Sequence, residues 1–570
     1  MPSRRALLRL LAASLAASAC GPGRSEPAPK PRDARPRRGR ELAELIVRGK
    51  ILTMDPDAFE AEAVAITGGE ITAVGRAAPL LGELRGPKTR VLDLGGGTAV
   101  AGLTDAHAHL IGLGRDLEIV DLRGAASIDE VVARLRAGAP ASGWILGRGW
   151  DQNRWAEGAA MPTHAALTAA FADRPVWLVR VDGHAGWANA AALAAAKIGA
   201  STGDPEGGEL LRGAGGAPTG VLVDNAMALM PTPPLDAADL RRRLLAAQEH
   251  VLARGLTGVH EMGVSAAADA ALRELAASGD LRLRVHGYAD ADWLAGALGE
   301  RDPDAITATA RYLLTGVKLY VDGALGSRGA ALLEPYSDRP EHRGTLIQSP
   351  ERLRELCDRA LARRWQIASH AIGDRANRLI LDTYAAALAA LPEGEAADRR
   401  LRIEHAQVLS QDDIPRLRDL GVIASVQPTH ATSDMPWAEA RLGAARLAGA
   451  YAWRRLLDAE VHLALGSDFP VELPDPTHGL YAAITRQDAA GAPAKGWLAD
   501  QRLALSEALA GFTRGAAYAC RRDDHLGLVK RGYQGDLTCF VDDIAALEPK
   551  ALREAKIRAT VIGGEVVYEA

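Results

Sequence analysis

The sequence has few cysteines, few aromatic residues and no strong excess of charge of either sign. Its 570 residues include four cysteines, aromatic side chains make up 4%, and the formal net charge is −5. Cys357, Cys520 and Cys539 lie far apart, so one disulfide is possible, but neither a disulfide framework nor a cysteine-type zinc site is indicated. The lack of a basic field argues against a nucleic-acid partner. Apolar residues still make up 48%, which is enough for a large core.

The first forty residues differ from the rest of the chain. Arg4 and Arg5 precede an apolar run that is shorter than the about 20 residues of a membrane-spanning helix, and small residues follow before Cys20. This order predicts an export signal over residues 1–20, and residues 3–8 resemble a twin-arginine signal. Residues 17–20 resemble a lipoprotein cleavage box, which predicts a lipid anchor on Cys20 at the cell envelope; plain secretion and a misassigned start are the alternatives. Residues 21–41 are rich in proline and arginine and are expected to form a disordered tether.

Both ends of the remaining chain alternate apolar and polar residues around glycine pairs. Gly68 and Gly69 separate two such segments between residues 45 and 74, and Gly563 and Gly564 separate two more near the C-terminus. Residues 535–541 form another strand candidate. Isolated hairpins are marginal in water, and chain ends often lie close together. We therefore expect residues 42–97 and 527–570 to form one small β-domain.

Residues 98–526 alternate short strand candidates with helical segments. The pattern predicts an α/β fold, namely a (β/α)₈ TIM barrel whose active site lies at the carboxyl ends of the strands; a six-stranded open sheet is the alternative. The first two candidates are separated by more than 100 residues, which include five of the ten tryptophans. This gap predicts an inserted lobe at about residues 115–250 that leans over the barrel mouth, with the tryptophans either in its own core or facing the mouth. The eight strand candidates lie near Val100, Val259, Val285, Lys318, Ile367, Ile403, Ala424 and Ala464.

A pair of histidines follows the first strand candidate. Side chains alternate along a strand, so His107 and His109 point to the same side. Two imidazoles at one strand end can bind a divalent metal. Taken alone, the pair is equally well explained as a surface or core feature. Its position after the first barrel strand is what favours a metal site.

Four further polar residues stand in or at the end of later strand candidates. Lys318 interrupts an apolar strand, although lysine is rarely buried unless it is paired or functional. His370 and His405 each end a strand, and Asp468 ends the eighth. The carboxyl ends of barrel strands converge on one face, so we expect these residues to meet the histidine pair there.

The ordered set resembles the amidohydrolase superfamily, in the family 3 branch that contains the N-substituted formamide deformylases. The resemblance runs from about residue 45 to the C-terminus. It implies a β-sandwich built from both chain ends around a metal-bearing barrel, and hydrolysis of an amide-like, non-peptide C–N bond in a small molecule. Besides the metal residues it includes Gly149-Trp150-Asp151, Asp182-Gly183-His184 with Asn189, Asp322 to Arg328, His370 to Asp374 and Gly466 to Val471.

The resemblance also implies a role for each matching residue. The implied ligands are His107, His109 and Asp468 for one divalent ion, His370 and His405 for a second, and a CO₂-derived carbamate on Lys318 that bridges both. The carbamate makes chemical sense because a free ammonium is cationic and donates only. Two ions about 3.5–4 Å apart hold a bridging hydroxide, whose proton Asp468 would take and then pass to the leaving nitrogen. The imidazole-rich set favours zinc, with iron, manganese or cobalt as alternatives.

The substrate contacts and the function class leave alternatives open. His184 and Asn189 of the lobe, with Ser327 and Arg328 after the fourth strand, are predicted to contact the substrate; hydrogen bonding within the lobe and a salt bridge in the barrel rim are the alternatives. A mononuclear, deaminase-like enzyme is a second function, but it needs no bridging Lys318. A non-catalytic metal- or solute-binding lipoprotein is a third, but it needs no proton shuttle. The sequence is compatible with a homo-oligomer.

Overall fold

The computed structural model of the protein describes residues 41–570 except 157, 159, 232–235 and 397. The predicted export signal, Cys20 and the predicted tether as far as residue 40 lie outside this part of the chain. Cys357, Cys520 and Cys539 are buried and free, so the disulfide that the sequence allowed does not form among them. Within the described ranges, no helix combines the length and apolar character of a membrane span.

Eight parallel strands form the central sheet, in the order in which they occur in the chain. The first and last strands meet where Ala108 bridges Phe469, and the Asp468 amide donates to the His107 carbonyl at 2.8 Å. The predicted (β/α)₈ barrel is thus confirmed. The strands are β1 (Leu103–Ala108), β2 (Leu256–Val264), β3 (Arg284–Ala289), β4 (Tyr312–Tyr320), β5 (Gln366–Ala371), β6 (Arg402–His405), β7 (Ile423–Val426) and β8 (Leu463–Leu465).

The first barrel strand begins three residues later than the candidate near Val100. Val100 lies in the strand Arg90–Ala101 of a different sheet, and Gly102 alone separates that strand from β1. A Cβ on Gly102 would lie 2.3 Å from the Thr257 hydroxyl, so the junction requires glycine. One extended segment therefore contributes strands to two sheets, and its apolar pattern does not show where the first strand ends and the second begins.

Helices cover the outside of the barrel, and several of them begin at a residue whose side chain caps the first turn. Asp236 accepts from the Asp239 amide at the start of the helix before β2, and Ser349 accepts from Arg352 at the helix after β4, where Pro350 takes the first position. These caps satisfy amides that have no partner inside the helix. The barrel helices are Leu110–Asp116, Ala237–Leu252, Ala266–Ser278, Ala291–Ala295, Pro350–Ala362, Asp374–Ala389, Ile414–Asp419, Pro428–Leu442, Trp453–Asp458, Pro476–Thr485, Leu505–Ala510 and Ala516–Ala519.

The two chain ends pair in one seven-stranded sheet. Gly68–Gly69 and Gly563–Gly564 form the turns of its two outer hairpins, as expected. The strand Arg90–Ala101 joins the halves, because it pairs parallel to Leu45–Leu52 and antiparallel to Leu537–Phe540. In spatial order the strands are Glu565–Glu569, Ile557–Ile562, Leu537–Phe540, Arg90–Ala101, Leu45–Leu52, Glu60–Thr67 and Glu70–Gly75; the helices Ala77–Leu84 and Pro549–Arg553 accompany them.

The segment between β1 and β2 contains a separate six-stranded sheet, as expected for an inserted lobe. Trp150, Trp155 and Trp187 pack together with ring centroids 5.7–5.9 Å apart, and Trp177 is buried on the other face. These tryptophans fill the core of the lobe. The strands, in spatial order, are Gly208–Arg212, Pro218–Asp224, Ala185–Ala188, Val176–Arg180, Ile145–Trp150 and Val120–Asp121, with the helices Ile128–Gly138, Ala165–Ala170 and Ala190–Ala195.

Candidate metal centre

A cavity of about 670 Å³ opens at the carboxyl ends of the barrel strands, where the lobe covers the mouth. That volume is typical of sites for small molecules. Its walls mix apolar side chains, such as Leu240 and Leu325, with charged groups from barrel and lobe. All six predicted metal residues line it: His107, His109, Lys318, His370, His405 and Asp468.

His107 and His109 share the end of β1, and each imidazole is fixed through Nδ1. His107 Nδ1 lies 2.6 Å from Glu404 Oε2, and His109 Nδ1 lies 3.0 Å from the Met262 carbonyl. Their Nε2 atoms are 3.5 and 3.1 Å from the same oxygen, Asp468 Oδ1. With Nδ1 engaged as a donor, Nε2 of each ring is free to act as a metal ligand.

Glu404 connects His107 to a buried arginine. Arg402 has 0% exposure and donates to both Glu404 oxygens at 2.8 and 3.0 Å. It also contacts His260 Nδ1 and the Tyr288 hydroxyl, each at 2.8 Å. The barrel interior below the cavity is therefore filled by a charged, hydrogen-bonded column, which holds the His107 ring in one orientation.

Lys318 of β4 is fully buried among the histidines. Its Nζ lies 3.2 Å from His107 Nε2 and 5.0 Å from the centroid of the Tyr320 ring. Burial lowers the pKa of Lys318 to about 8. A neutral amine is the form that reacts with CO₂, so this environment favours the predicted carbamate.

His370 and His405 end β5 and β6 with ring centroids 4.5 Å apart. Burial holds the pKa of both rings, and of His107, well below the ordinary value. Neutral imidazoles are the metal-binding form. His405 Nδ1 bonds Gln427 Oε1 at 2.7 Å, whereas His370 Nε2 has no hydrogen-bond partner among the described residues.

Asp468 lies between the β1 histidines and a further histidine that sequence reasoning left without a role. Its Oδ2 is 3.8 Å from His430 Nε2, a buried atom without a hydrogen-bond partner in the described chain. The His430 ring stacks on His405 at 5.8 Å. His430 lies in the first turn of the helix after β7, near the strand end; the sequence shows that position, but His430 belongs to none of the segments that carry the family resemblance.

The donor atoms fit a divalent metal. Two groups bring their ligand atoms within 4.8 Å of one another, and Asp468 belongs to both. Neutral imidazole nitrogens and a carboxylate suit zinc and its first-row neighbours. The unpartnered Nε2 atoms of His370 and His430 are costly in a buried site unless something binds them. The two groups are His107, His109 and Asp468, and His405, His430 and Asp468.

The four predicted substrate residues divide into one that lines the cavity and three that do not. His184 lines it, with its ring 5.2 Å from His370. Asn189 is fully buried, caps the helix Ala190–Ala195 and bonds lobe backbone through its side-chain amide, which favours the alternative of hydrogen bonding within the lobe. Ser327 donates to the Ala324 carbonyl, and Arg328 pairs with Asp338 at 3.0 Å, which favours the alternative of a salt bridge in the barrel rim.

Other polar residues of the family-like segments stabilise the loops. Asp322 accepts from the amides of Ala331, Ile372 and Gly373, and so ties the loops after β4 and β5 together. Asp105 accepts from Ser467 and from the His107 amide at the junction of β1 and β8. The desolvation of each carboxylate raises its pKa to about 7. These bonds hold the ligand-bearing strand ends in register.

Comparison with known proteins agrees with this geometry. The amidohydrolase family profile matches residues 90–568. The chain is 30% identical to an N-substituted formamide deformylase of Arthrobacter pascens, over 92% of this chain and 98% of the relative, and 33% identical to the protein LONG AFTER FAR-RED 3 of Arabidopsis thaliana, over 92% and 91%. A crystal structure of a metal-dependent hydrolase from Pyrococcus horikoshii superposes with a TM-score of 0.70 at 28% identity, covering 92% of this chain and all of that one. The chain therefore belongs to the amidohydrolase family and is a metal-dependent hydrolase.

Proposed function

We propose that the enzyme hydrolyses an amide-like, non-peptide C–N bond in a small molecule, and that N-substituted formamides are the first class to test. The observation that carries the proposal is the position of Asp468, which faces the β1 histidines through Oδ1 and His430 through Oδ2 inside the cavity. A carboxylate so placed contacts both the metal-binding side of the site and the space left for a substrate. The full-length similarity to a named deformylase supports the substrate class.

Asp468 would move the proton that hydrolysis requires. Water adds its oxygen to the carbonyl carbon, and the Asp468 carboxylate takes the proton that this oxygen loses. When the C–N bond breaks, Asp468 returns the proton to the leaving nitrogen, which departs as a neutral amine, and the acyl part leaves as a carboxylic acid. The carboxylate is regenerated, so atoms and charge balance over the cycle.

The residues that would hold metal are those of the sequence prediction. His107 and His109 with Asp468 would bind one ion, and His370 and His405 a second, with a carbamate on Lys318 between them. Zinc is proposed because the donor set is rich in imidazole. Bound divalent ions supply an activated water and polarise the substrate carbonyl. The Glu404 carboxylate, 2.6 Å from His107 Nδ1, would keep that ligand in its metal-binding tautomer.

The proposal is tested by metal analysis and turnover on one preparation. We expect about two metal ions per chain by plasma mass spectrometry, and release of aniline from formanilide or acetanilide. Asp468→Asn should lower kcat by about 10²–10⁴-fold, because the amide cannot accept the proton. Asp500→Asn, an exposed carboxylate outside the cavity, is the matched control and should leave kcat unchanged. Near-normal turnover by Asp468→Asn would reject Asp468 as the proton carrier.

A one-metal deaminase is the second candidate. Over 84 residues, 14% of this chain, the sequence is 44% identical to a 5-methylthioadenosine/S-adenosylhomocysteine deaminase of Syntrophobacter fumaroxidans. One ion held by His107, His109, Asp468 and one later histidine would suffice for such chemistry, and the first three already bring their ligand atoms together. A single metal per chain, together with ammonia release from an aminopurine and no amide turnover, would favour this candidate. Metal binding without turnover of either class would favour a binding protein.

A further inference from the structure

His184 is a lobe residue whose ring packs against that of a proposed ligand, and a buried carboxylate holds it there. Its Nδ1 lies 2.7 Å from Asp224 Oδ1, and its ring packs 5.2 Å from that of His370. The side chain is 18% exposed and lines the cavity, whereas the Asp224 side chain is 3% exposed. The Asp224 bond fixes the ring through one nitrogen and leaves the other edge of the ring available to the cavity.

Asp224 reaches this position through an unusual backbone conformation. It has φ 47° and ψ −125°, values that glycine adopts readily and that side chains with a Cβ avoid. Such a conformation costs of order 1–3 kcal/mol and persists only where the surroundings enforce it. Here the bond to His184 and the packing of the carboxylate against the barrel provide that support.

The barrel leaves space for the Asp224 carboxylate by having glycine at two positions. A Cβ on Gly323 would lie 2.7 Å from Asp224 Oδ2, and one on Gly329 would lie 2.8 Å from it. Both glycines belong to the loop after β4, the strand that carries Lys318. The lobe and the barrel therefore meet at this carboxylate, directly behind the histidine.

We propose that Asp224 and His184 form a substrate-facing pair in which His184 donates a hydrogen bond from Nε2 to the carbonyl oxygen of the amide, and that Asp224 positions it. This inference rests on the proposed amide hydrolysis. Asp224 Oδ1 faces Nδ1 at 2.7 Å, and Asp182 Oδ1 fixes the backbone of His184 by accepting from its amide at 3.1 Å, so the ring is held with its Nε2 edge toward the cavity. The donated bond strengthens as negative charge grows on the oxygen during water attack, and the proton stays on His184 throughout.

The pair explains why the lobe is part of the active site. In this arrangement barrel side chains supply the ligands and the proton carrier, and the lobe supplies a donor that reaches the substrate from above the barrel mouth. Donors aimed at a developing oxyanion contribute about 10²–10³-fold to kcat. Substrate orientation would then depend on the seam between lobe and barrel that Asp224 occupies.

The test uses the metal-loaded protein and the variants His184→Ala, His184→Gln and Asp224→Asn. His184→Ala should retain its metal content and lower kcat about 10²–10³-fold on whichever anilide the wild type cleaves, with a smaller change in KM. Free imidazole should restore part of the kcat of His184→Ala and none of that of Asp468→Asn. Asp224→Asn should lower kcat in the same direction, because the amide no longer holds the ring by charge. His164→Ala, a lobe histidine bonded to Thr168, is the matched control.

A second readout is independent of turnover. Formate and acetate carry the carboxylate that amide hydrolysis produces, and calorimetry on the metal-loaded protein measures their binding. We expect about tenfold weaker binding by His184→Ala and by His184→Gln at unchanged metal content. Loss of metal in His184→Ala would make His184 a ligand and overturn the proposal, as would unchanged kcat and unchanged carboxylate affinity. If the wild type cleaves no amide, the proposed function fails, and the carboxylate affinities still decide the role of His184.

Discussion

Replacing Arg402 with methionine tests whether the charged column under the cavity acts as one unit. The guanidinium is fully buried and donates to Glu404, His260 Nδ1, the Tyr288 hydroxyl, the Ser425 hydroxyl and the Ala106 carbonyl. Methionine fills much of the same volume without charge. It would leave the Glu404 carboxylate buried without its cationic partner.

The magnitude follows from that unpaired charge. Removing one partner of a buried ion pair costs about 3–5 kcal/mol, because the remaining charge stays desolvated. Both Arg402 and Glu404 have 0% exposure, so screening by solvent does not reduce this free-energy cost. The double variant Arg402→Met, Glu404→Leu removes both charges of the pair and leaves neither unpaired, so we expect it to be more stable than Arg402→Met alone.

Urea unfolding of the wild type, the two single variants and the double variant measures this coupling. Metal content is followed in parallel, since Glu404 also orients His107 through a 2.6 Å bond. We expect Arg402→Met to unfold at lower urea and to bind metal more weakly, and a double-mutant cycle to give a coupling of about 1–3 kcal/mol. Additive single-variant effects, or an Arg402→Met protein as stable as the wild type, would refute the reasoning.

Three further outcomes follow from residues elsewhere in the chain. Lys318→Ala should lose at least one metal and most activity, and short carboxylic acids should partly restore both; normal binding of two metals would exclude the carbamate bridge. The proposed lipid anchor predicts that Cys20→Ser moves the protein from the membrane fraction to the soluble fraction or leaves it unprocessed, and mass spectrometry of the N-terminus would contradict the anchor if the chain started unmodified beyond Cys20. Burial alone would raise the pKa of Asp536, but the ion pair with Arg284 holds that pKa below its usual value. The ionised carboxylate therefore stabilises the fold above about pH 4, and this contribution to stability is lost as the pH falls further. Asp536→Asn should therefore unfold more readily at pH 7 and lose less stability than the wild type between pH 5 and 3; parallel pH profiles of the two proteins would contradict this assignment.

The fold was largely predictable because its signals are local. Apolar strands, glycine turns such as Gly68–Gly69 and helix caps such as Ser349 each mark an element within a few residues. The start of β1 was misplaced because the extended segment that contains Val100 continues past Gly102 into a second sheet without a change of pattern. Sequence periodicity identifies a strand but not the sheet to which it belongs.

Only those residues of the candidate site that lie in or directly after a barrel strand could be predicted from the sequence. His107, Lys318 and Asp468 stand in or directly after barrel strands, so parallel topology brings them together. Asp224 lies 40 residues from His184 in the lobe, and no local pattern pairs the two residues. The sequence left two roles open for Asn189, because a buried amide that caps a helix and one that binds substrate look the same in a sequence.

The joining of both chain ends in one sheet has a consequence for synthesis. The strand Arg90–Ala101 pairs with Leu45–Leu52 along one edge, and its other edge stays unpaired until Leu537–Phe540 has been made. At about 5–20 residues per second, the ribosome needs roughly 20–90 s to make the intervening stretch. During that time the growing chain presents an open strand edge, which is a template for wrong pairing. Leu537–Phe540 and the strands after it thus complete a sheet whose other half is translated much earlier, and this edge is open to chaperones that shield nascent chains in the interval.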